Sequence, residues 1–263
     1  MSLFLVPTPI GNLADITLRA IETLREADLV IAEDTRRTRA LLSHLGITGK
    51  KLISLFAEKE RTQAAAILRQ VAGKNAALTT DAGSPALSDP GAVLVREALA
   101  MGIPVVPLPG ATALVPAVTA SGLDSARFLF YGFPPRAAGE RRKLLTELAP
   151  LPFTLVFYET APRVIPFLRE ALATLGEREC VIAREISKAH ESFVRGTLAE
   201  MGTLLPEENR RGEVVALIAG ASGKAAATAH AWTSWDELAT HLVEAGLVRK
   251  NELKRLLLER RRG

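Results

Sequence analysis

The sequence contains few of the residues that form disulfides or metal sites. It has one cysteine, Cys180, and four histidines in 263 residues, which excludes a disulfide framework and a zinc site with several thiolates. The histidines are scattered, with no His-x-x-x-His pair, so we expect no metal centre. Cys180 lies in the apolar run Glu-Cys-Val-Ile-Ala, where a small buried residue is expected.

Uninterrupted apolar runs and targeting signals are also missing. The uncharged stretch 98–123 is long enough to span a bilayer, but it contains four prolines and three glycines, which no single helix accommodates. The first basic residue is Arg19, so the N-terminus lacks the basic region of a signal peptide. We therefore expect no membrane segment and a cytoplasmic protein.

Charge is distributed unevenly along the chain. The 33 basic and 29 acidic residues give a net charge of +4. Residues 249–263 hold seven basic and two acidic residues, a net +5, so the rest of the chain carries −1. This asymmetry indicates either a polyanionic partner or a solvated, positively charged terminal helix.

Short apolar runs alternate with helical patterns over the first 122 residues. Strands are predicted at 3–7, 29–33, 51–55, 76–80 and 104–108, and helices at 18–27, 38–45, 63–72, 92–100 and 112–120. Strands that alternate with helices of this length indicate βαβ units and a mostly parallel sheet.

The pattern restarts after residue 122. Strands are predicted at 128–133, 154–158, 180–184 and 214–219, and Ser192–Thr197 is expected to pair in a hairpin with the strand at 180–184. We therefore predict an α/β fold of two α/β lobes, 1–122 and 123–222, with a ligand cleft between them. A linker and a basic helical tail are predicted over 223–263.

The turns after the predicted strands of the first lobe have an unusual composition. The first, at 6–17, has two prolines but lacks the glycines of a dinucleotide fold and the lysine of a phosphate loop. Those at 79–91 and 109–112 are rich in small residues. Because the carboxyl ends of parallel strands meet at one edge, these turns predict a smooth pocket for an adenosine-like ligand. We also expect Ser88 or Asp89 to cap the following helix.

The second strand is followed by Glu-Asp-Thr-Arg-Arg-Thr-Arg at 33–39. This cluster is typical either of a capped helix start with self-paired charges or of a phosphate contact. In the second interpretation Arg36, Arg37 or Arg39 meets the phosphate, and Glu33 or Asp34 orients the arginine.

Basic and aromatic residues interleave in the second lobe, at 131–136, 157–163 and 184–191. Arginines suit phosphates and rings suit base stacking, so the pattern favours a nucleic-acid surface. Aromatic residues at strand positions are more often part of a core, and we expect this of Phe128, Phe130 and Phe157.

Together these segments resemble the tetrapyrrole methylase superfamily. The resemblance is carried by residues 5–20, 32–36, 80–91, 109–113, 131–134 and 157–163. It implies a homodimer in which S-adenosylmethionine binds between two α/β lobes. Many members have Gly-Pro-Gly in the first ligand loop and Gly-Asp-Pro in the second. Here these are Pro-Thr-Pro and Gly-Ser-Pro, which is similar to the members that methylate ribosomal RNA.

For those members the resemblance implies methylation of the ribose 2′-hydroxyl of a cytidine, usually numbered 1402, in 16S rRNA of the small ribosomal subunit. Two alternatives stay open. One is a methyltransferase of the same superfamily that acts on a tetrapyrrole or a diphthamide precursor. The other is a non-catalytic RNA-binding factor of ribosome assembly.

The resemblance also implies which residues form the site. Those expected around the methyl donor are Pro9, Ile10, Gly83, Ser84, Leu87, Ala111, Thr112, Ala113, Tyr158, Val215 and Ala216. A ribose hydroxyl is a weak nucleophile at neutral pH, so a general base would help. Glu159 is the first candidate, followed by Asp34 and Asp81. Those expected to contact RNA are Arg36, Arg136, Arg141, Arg142, Arg163, Arg249, Lys250, Lys254 and Arg255.

The basic tail supplies the first testable prediction. Deleting residues 225–263 removes the basic cluster at 249–263, so we expect weaker binding to small ribosomal subunits and a shallower dependence of log Kd on log salt concentration. Filter binding over a range of salt concentrations measures both. Binding of S-adenosylmethionine is the internal control and should not change. An unchanged salt slope contradicts a role of the tail in RNA binding.

Overall fold

The computed structural model describes residues 1–205, 212–222 and Val243, which is helical. Apart from Val243, the tail predicted over 223–263 lies outside the described residues. The same holds for its proposed RNA contacts at Arg249, Lys250, Lys254 and Arg255. None of the described helices is long and apolar enough to cross a membrane.

The first sheet has five parallel strands in the order β3-β2-β4-β1-β5. The strands are β1 (Ser2–Leu5), β2 (Leu29–Ala32), β3 (Lys51–Ser54), β4 (Asn75–Thr79) and β5 (Val105–Pro107). The helices of this lobe are α1 (Leu18–Glu26), α2 (Thr35–His44), α3 (Glu60–Val71) and α4 (Ala92–Ala100). Helices cover both faces, so a central strand such as β2 is buried along its whole length. The predicted alternation of strands and helices is confirmed.

The second sheet is mixed, with the order β6-β7-β10-β8-β9. Its strands are β6 (Phe128–Gly132), β7 (Thr154–Thr160), β8 (Glu179–Arg184), β9 (Ser192–Thr197) and β10 (Glu213–Ile218). Strands β6 and β7 are parallel, whereas β10 pairs antiparallel with both β7 and β8. The predicted hairpin of β8 and β9 is confirmed. The helices here are α6 (Ala138–Leu148), α7 (Ala161–Leu175) and the short α8 (Met201–Leu204).

Helix α5 (Leu114–Ser121) joins the two lobes and packs on the second sheet. Its buried residues Ala117 and Val118 belong to the same core cluster as Val156 and Val181 of that sheet, on the face opposite α6 and α7. The helix carries no charged residue, so it needs an apolar partner. By packing it therefore belongs to the second lobe, although the sequence boundary after residue 122 assigns it to the first.

Helix α4 is capped by a side chain from a different helix. One carboxylate oxygen of Glu60, at the start of α3, accepts hydrogen bonds from the backbone N–H groups of Gly91, Val93 and Leu94 at 2.8–3.0 Å. The prediction that Ser88 or Asp89 caps this helix is wrong, because the N-cap is Gly91 and it makes no side-chain cap. Asp89 is thereby left for another role.

We expect Glu60→Ala to destabilise the protein by about 2–3 kcal/mol, because three buried or half-buried N–H groups lose a charged acceptor. The shift of the urea unfolding midpoint measures this loss. Glu60→Gln keeps one neutral acceptor and should cost less. The matched control is Glu58→Ala, because Glu58 carries the same side chain two residues earlier but is exposed. A destabilisation equal to that of the control contradicts the capping role.

Candidate active site

A cleft opens at the carboxyl edge of the first sheet and faces the second sheet. Its volume is about 300 Å³, within the usual range for small-molecule sites. From the first lobe it is lined by Ile10, Glu33, Arg37, Asp81, Ala82, Gly83, Ser84, Leu87, Ser88, Asp89, Thr112 and Ala113. From the second lobe it is lined by Phe133, Tyr158, Glu159, Ala183, Glu185, Ile186, Lys188, Glu213, Val214 and Val215. The expected cleft between the lobes is therefore present.

The turns that form the floor of the cleft are joined by hydrogen bonds. The backbone N–H of Thr8 donates to the carbonyl of Gly83, and the N–H of Gly83 donates back to Thr8, both at 2.9 Å. The hydroxyl of Ser84 donates to the carbonyl of Ala111 at 3.4 Å. Gly83 has a φ of 86°, which L-residues rarely adopt, and an added Cβ would lie 3.5 Å from a methyl group of Ile10.

Most of the residues expected around the methyl donor meet in this cleft. Those that line it are Ile10, Gly83, Ser84, Leu87, Thr112, Ala113, Tyr158 and Val215. Ala111 contributes its carbonyl to the bond with Ser84. Pro9 instead lines an adjoining depression beside α2.

Ala216 is another expected donor contact that does not line the cleft. It is fully buried in the core beneath α6 and α7, with Phe157 and Phe167. Successive residues of a strand point to opposite faces. Because Val215 faces the cleft, its neighbour Ala216 has to face the core.

Tyr158 connects the two lobes across the cleft. Its hydroxyl forms a hydrogen bond with the Thr112 side chain, and burial raises the pKa of Tyr158. Its ring packs edge-on against Phe130 and Phe133, with centroids 4.8 and 5.7 Å away. The lobes are thus held together where the ligand is expected.

Acidic side chains outnumber basic ones six to two among the residues that line the cleft. Burial raises the pKa of Glu33, whose carboxylate accepts a hydrogen bond from the N–H of Asp81 at 3.4 Å. The carboxylate of Asp81, one of the predicted bases, accepts from the N–H of Asp34 at 3.1 Å and lies 3.4 Å from Arg37. This surplus of negative charge favours a cationic ligand.

Asp34, another predicted base, lies outside the lining of the cleft and caps α2. Its carboxylate accepts the N–H of Arg36 at 2.8 Å and pairs with the guanidinium of Arg36 at 2.9 Å. These hydrogen bonds lower the pKa of Asp34 to about 2. Such a weakly basic carboxylate is a poor proton acceptor at neutral pH, and its contacts favour the interpretation of a capped helix start.

Glu159, the first predicted base, lines the cleft but is already engaged. It is 1% exposed. One carboxylate oxygen accepts the N–H of Thr160 at 2.8 Å, and the other lies 3.0 Å from the guanidinium of Arg163. Burial raises the pKa of Glu159, while these two partners lower it in part. Its contacts suit a side chain that holds the start of α7 against β7.

Asp89 is a cleft residue that the sequence prediction missed because it was assigned to a helix cap. It is half-buried and lines the cleft. Burial, followed by the negative charges of Glu33, Asp81 and Glu213, raises the pKa of Asp89 to about 7. The position before Pro90, in a turn at the carboxyl edge of the sheet, is the signal that could have identified it.

Lys188, Glu185 and Glu213 form a second unpredicted group, at the second-lobe wall. The ammonium group of Lys188 lies 3.1 Å from Glu185 and 3.3 Å from Glu213. The side chain of Lys188 also reaches the first lobe, because an added Cβ on Gly11 would collide with it. This ion-paired group therefore closes one end of the cleft.

The arginines expected to contact RNA divide into two groups. Arg141 is largely buried, lies 2.5 Å from Glu170 and donates to the carbonyls of Pro135 and Arg136. Arg163 pairs with Glu159. These two have structural partners and are not free to bind phosphate. Arg36, Arg136 and Arg142 stay exposed. Of these, Arg36 pairs with Asp34 and Arg142 lies 3.8 Å from Glu170, but both guanidinium groups remain open to solvent.

Residues 2–202 match the family described as Tetrapyrrole (Corrin/Porphyrin) Methylases. The chain is 41% identical to "Ribosomal RNA small subunit methyltransferase I" of Halalkalibacterium halodurans, covering 98% of this chain and 90% of that protein. It is 45% identical to the protein of the same name from Escherichia coli O157:H7, covering 83% and 77%. The chain belongs to this family of ribosomal RNA small subunit methyltransferases. The resemblance inferred from the motifs is confirmed.

Solved structures with the same fold have distant sequences. A diphthine synthase superposes with a TM-score of 0.63 at 15% identity, covering 87% of this chain and 94% of that one. The uroporphyrin-III C-methyltransferase of Thermus thermophilus, solved with S-adenosyl homocysteine, gives 0.57 at 22% identity, covering 83% and 97%. These likenesses confirm the α/β fold of two lobes.

The contacts of Glu159 separate a structural role from a catalytic one. We expect Glu159→Gln to keep methyl transfer within a few-fold of the wild type, because an amide retains an acceptor for Thr160. We expect Glu159→Ala to destabilise the protein by about 2–3 kcal/mol, since it removes the ion pair of Arg163 and leaves the N–H of Thr160 without its acceptor. Urea unfolding and single-turnover methyl transfer measure these effects. A stable Gln variant that loses all turnover would restore Glu159 as the base.

Proposed function

We propose that the chain transfers a methyl group from S-adenosylmethionine to the ribose 2′-hydroxyl of a cytidine in 16S rRNA, the one usually numbered 1402. The observation that carries this proposal is the acidic cleft formed by small-residue turns. The similarity of the chain to ribosomal RNA small subunit methyltransferases supports it. The identity of the nucleotide and of the acceptor oxygen comes from the resemblance of its ligand loops. The assignment of the donor draws in addition on the chemistry of the cleft.

The residues present fit S-adenosylmethionine. Gly83, Ser84 and Thr112 bring little side-chain bulk to the floor, so a flat adenosine can approach the backbone closely. Ile10 and Val215 offer apolar walls on opposite lobes. The surplus of acidic groups suits a molecule with a sulfonium and an ammonium group. When bound, this molecule supplies an activated methyl group whose leaving group is a neutral thioether.

The task left to the protein is mainly alignment. A positioned acceptor oxygen and a positioned methyl group react far faster than free reactants, because the entropy of bringing them together is lost on binding. The bonds between Thr8 and Gly83 and between Tyr158 and Thr112 fix the floor and the second-lobe wall relative to each other. A cleft held in this way supports the proposed alignment.

The RNA is proposed to bind outside the acidic cleft. Among the described residues, Arg36, Arg136 and Arg142 keep exposed guanidinium groups for phosphate contacts. The basic tail, with Arg249, Lys250, Lys254 and Arg255, adds the remaining contacts of the proposal. Cytoplasm as the compartment and a homodimer as the assembly also belong to the proposal, and the homodimer derives from the resemblance.

The test is transfer of radiolabelled methyl from S-adenosylmethionine to small ribosomal subunits that lack this methylation. We expect label on a 2′-O-methylcytidine after digestion of the rRNA to nucleosides. Label on another nucleoside would contradict the proposed position or acceptor. No label, with donor binding demonstrated by calorimetry, would return the function to the two alternatives, a methyltransferase of a tetrapyrrole or diphthamide precursor and a non-catalytic RNA-binding factor.

A pair of glycine variants tests the donor site separately. We expect Gly83→Val to weaken donor binding at least about 10-fold, since it adds bulk to the floor of the cleft, where an added Cβ already lies 3.5 Å from Ile10. Gly46→Val is the matched control, because Gly46 also has a positive φ, of 66°, but a side chain there meets nothing within 4 Å. Equal donor affinity in both variants, measured by calorimetry, would contradict the placement of the donor at Gly83.

A further inference from the structure

Asp89 differs from the other acidic residues of the cleft in its contacts. Glu33, Asp81, Glu159, Glu185 and Glu213 each accept a hydrogen bond or form an ion pair. Within the described ranges 1–205 and 212–222, the carboxylate of Asp89 has no such partner, although it is half-buried and lines the cleft. A carboxylate in this position is free to accept a hydrogen bond from a ligand.

Phe133 presents an aromatic ring to the same cleft. It follows β6 directly and is 50% exposed, which is unusual for a phenylalanine. Its ring packs edge-on against Tyr158, with the two ring centroids 5.7 Å apart. This contact orients the ring, and the rest of its surface stays open to solvent. Proteins bind unpaired bases by stacking them on rings presented in this manner.

The backbone brings these two residues together across the lobes. Gly132 precedes Phe133, and Ser88 precedes Asp89. A Cβ added to Gly132, which has a φ of 87°, would lie 3.0 Å from the hydroxyl oxygen of Ser88. The turn that carries the free carboxylate therefore touches the turn that carries the exposed ring.

We propose that Phe133 and Asp89 form the subsite for the target nucleotide. The ring of Phe133 stacks on a pyrimidine base that is flipped out of the RNA, and the carboxylate of Asp89 accepts the proton of its ribose 2′-hydroxyl. This inference rests on the proposed function and adds to it the residues that bind and activate the acceptor. Bases on which enzymes act are commonly extruded and stacked on apolar or aromatic side chains.

The proton transfer balances without any further reactant. As the ribose oxygen forms its bond to the methyl carbon, the carbon–sulfur bond of the sulfonium donor breaks and its electron pair remains on sulfur. The hydroxyl proton passes to the carboxylate of Asp89. The products are a methyl ether, a neutral thioether and a carboxylic acid that returns its proton to water.

The surroundings of Asp89 set the pH at which it can act. It faces the acidic side chains of Glu33, Asp81 and Glu213 and the hydroxyl of Tyr158. The basic residues that line the cleft are Arg37, paired with Asp81, and Lys188, paired with Glu185 and Glu213. The resulting pKa of about 7 means that Asp89 is protonated below neutrality and becomes a base as the pH rises. The methyl-transfer rate should therefore rise through about pH 7.

The first experiment measures single-turnover methyl transfer to undermethylated small subunits as a function of pH. We expect Asp89→Asn to lower the rate by about 100-fold or more and to abolish its rise near neutral pH. Glu33→Gln removes a negative charge that faces Asp89, so the rise should persist but move to lower pH. Calorimetry with S-adenosylmethionine verifies that both variants are folded and bind the donor.

The second experiment measures the Kd for the same subunits by filter binding, in the presence of S-adenosylhomocysteine and without turnover. We expect Phe133→Ala to weaken binding by about 5- to 100-fold, and Phe133→Trp to restore it. Phe128→Ala is the matched control, because this ring lies at the start of β6, the strand that Phe133 follows, and is 40% exposed but does not line the cleft. Its Kd should stay within about two-fold of the wild type, because a surface substitution away from a site has a small effect.

The outcomes separate this inference from the proposed function. A wild-type enzyme that fails to methylate the subunits would overturn the proposed function itself. A wild-type enzyme that does methylate them, with an unchanged pH profile in Asp89→Asn, would overturn the assignment of Asp89 alone. Equal Kd values for the Phe133→Ala and Phe128→Ala variants would overturn the assignment of Phe133.

Discussion

Two reciprocal hydrogen bonds between Thr8 and Gly83 hold together the turns after the neighbouring strands β1 and β4. They depend on the left-handed backbone of Gly83, which a side chain would strain. Since the carboxyl ends of all five parallel strands lie at this edge, fixing the two central turns also fixes their neighbours. The floor of the cleft is thus a property of backbone geometry, and side chains from the second lobe close it.

The division of labour among the carboxylates follows from their hydrogen bonds. Glu60 caps α4 from a distance, Asp34 caps α2, and Glu159 secures the start of α7. These carboxylates have structural roles, because each accepts hydrogen bonds from backbone N–H groups at the start of a helix. Glu60 does the capping at α4, and Asp89 lies in the cleft, where its carboxylate has no hydrogen-bond or ion-pair partner among the described residues. Because a side chain of α3 makes this cap, the carboxylate of Asp89 remains available in the site.

The sequence predicted the fold well where local patterns determine it. Strands alternating with helices predicted a parallel sheet, and the small-residue turns predicted the edge at which the cleft opens. Prediction failed where the role of a residue depends on a partner distant in sequence. Arg141 pairs with Glu170, and α4 is capped by Glu60. Phe128, expected in the core, is 40% exposed because β6 is an edge strand. Such outcomes depend on which elements meet in space, and local sequence patterns do not contain that information.

The charge of the cleft has a consequence for turnover under the proposed function. Acidic groups attract a sulfonium donor and repel RNA phosphates, so the polyanion has to bind through exposed arginines while a single nucleotide enters. Methyl transfer then removes the sulfonium charge, which weakens the attraction of the cleft for the spent donor. Under the role inferred for Asp89, its carboxylate takes up a proton at the same step and loses its charge, so the attraction falls on both sides. A cleft of this charge therefore favours binding of the reactant and release of the product.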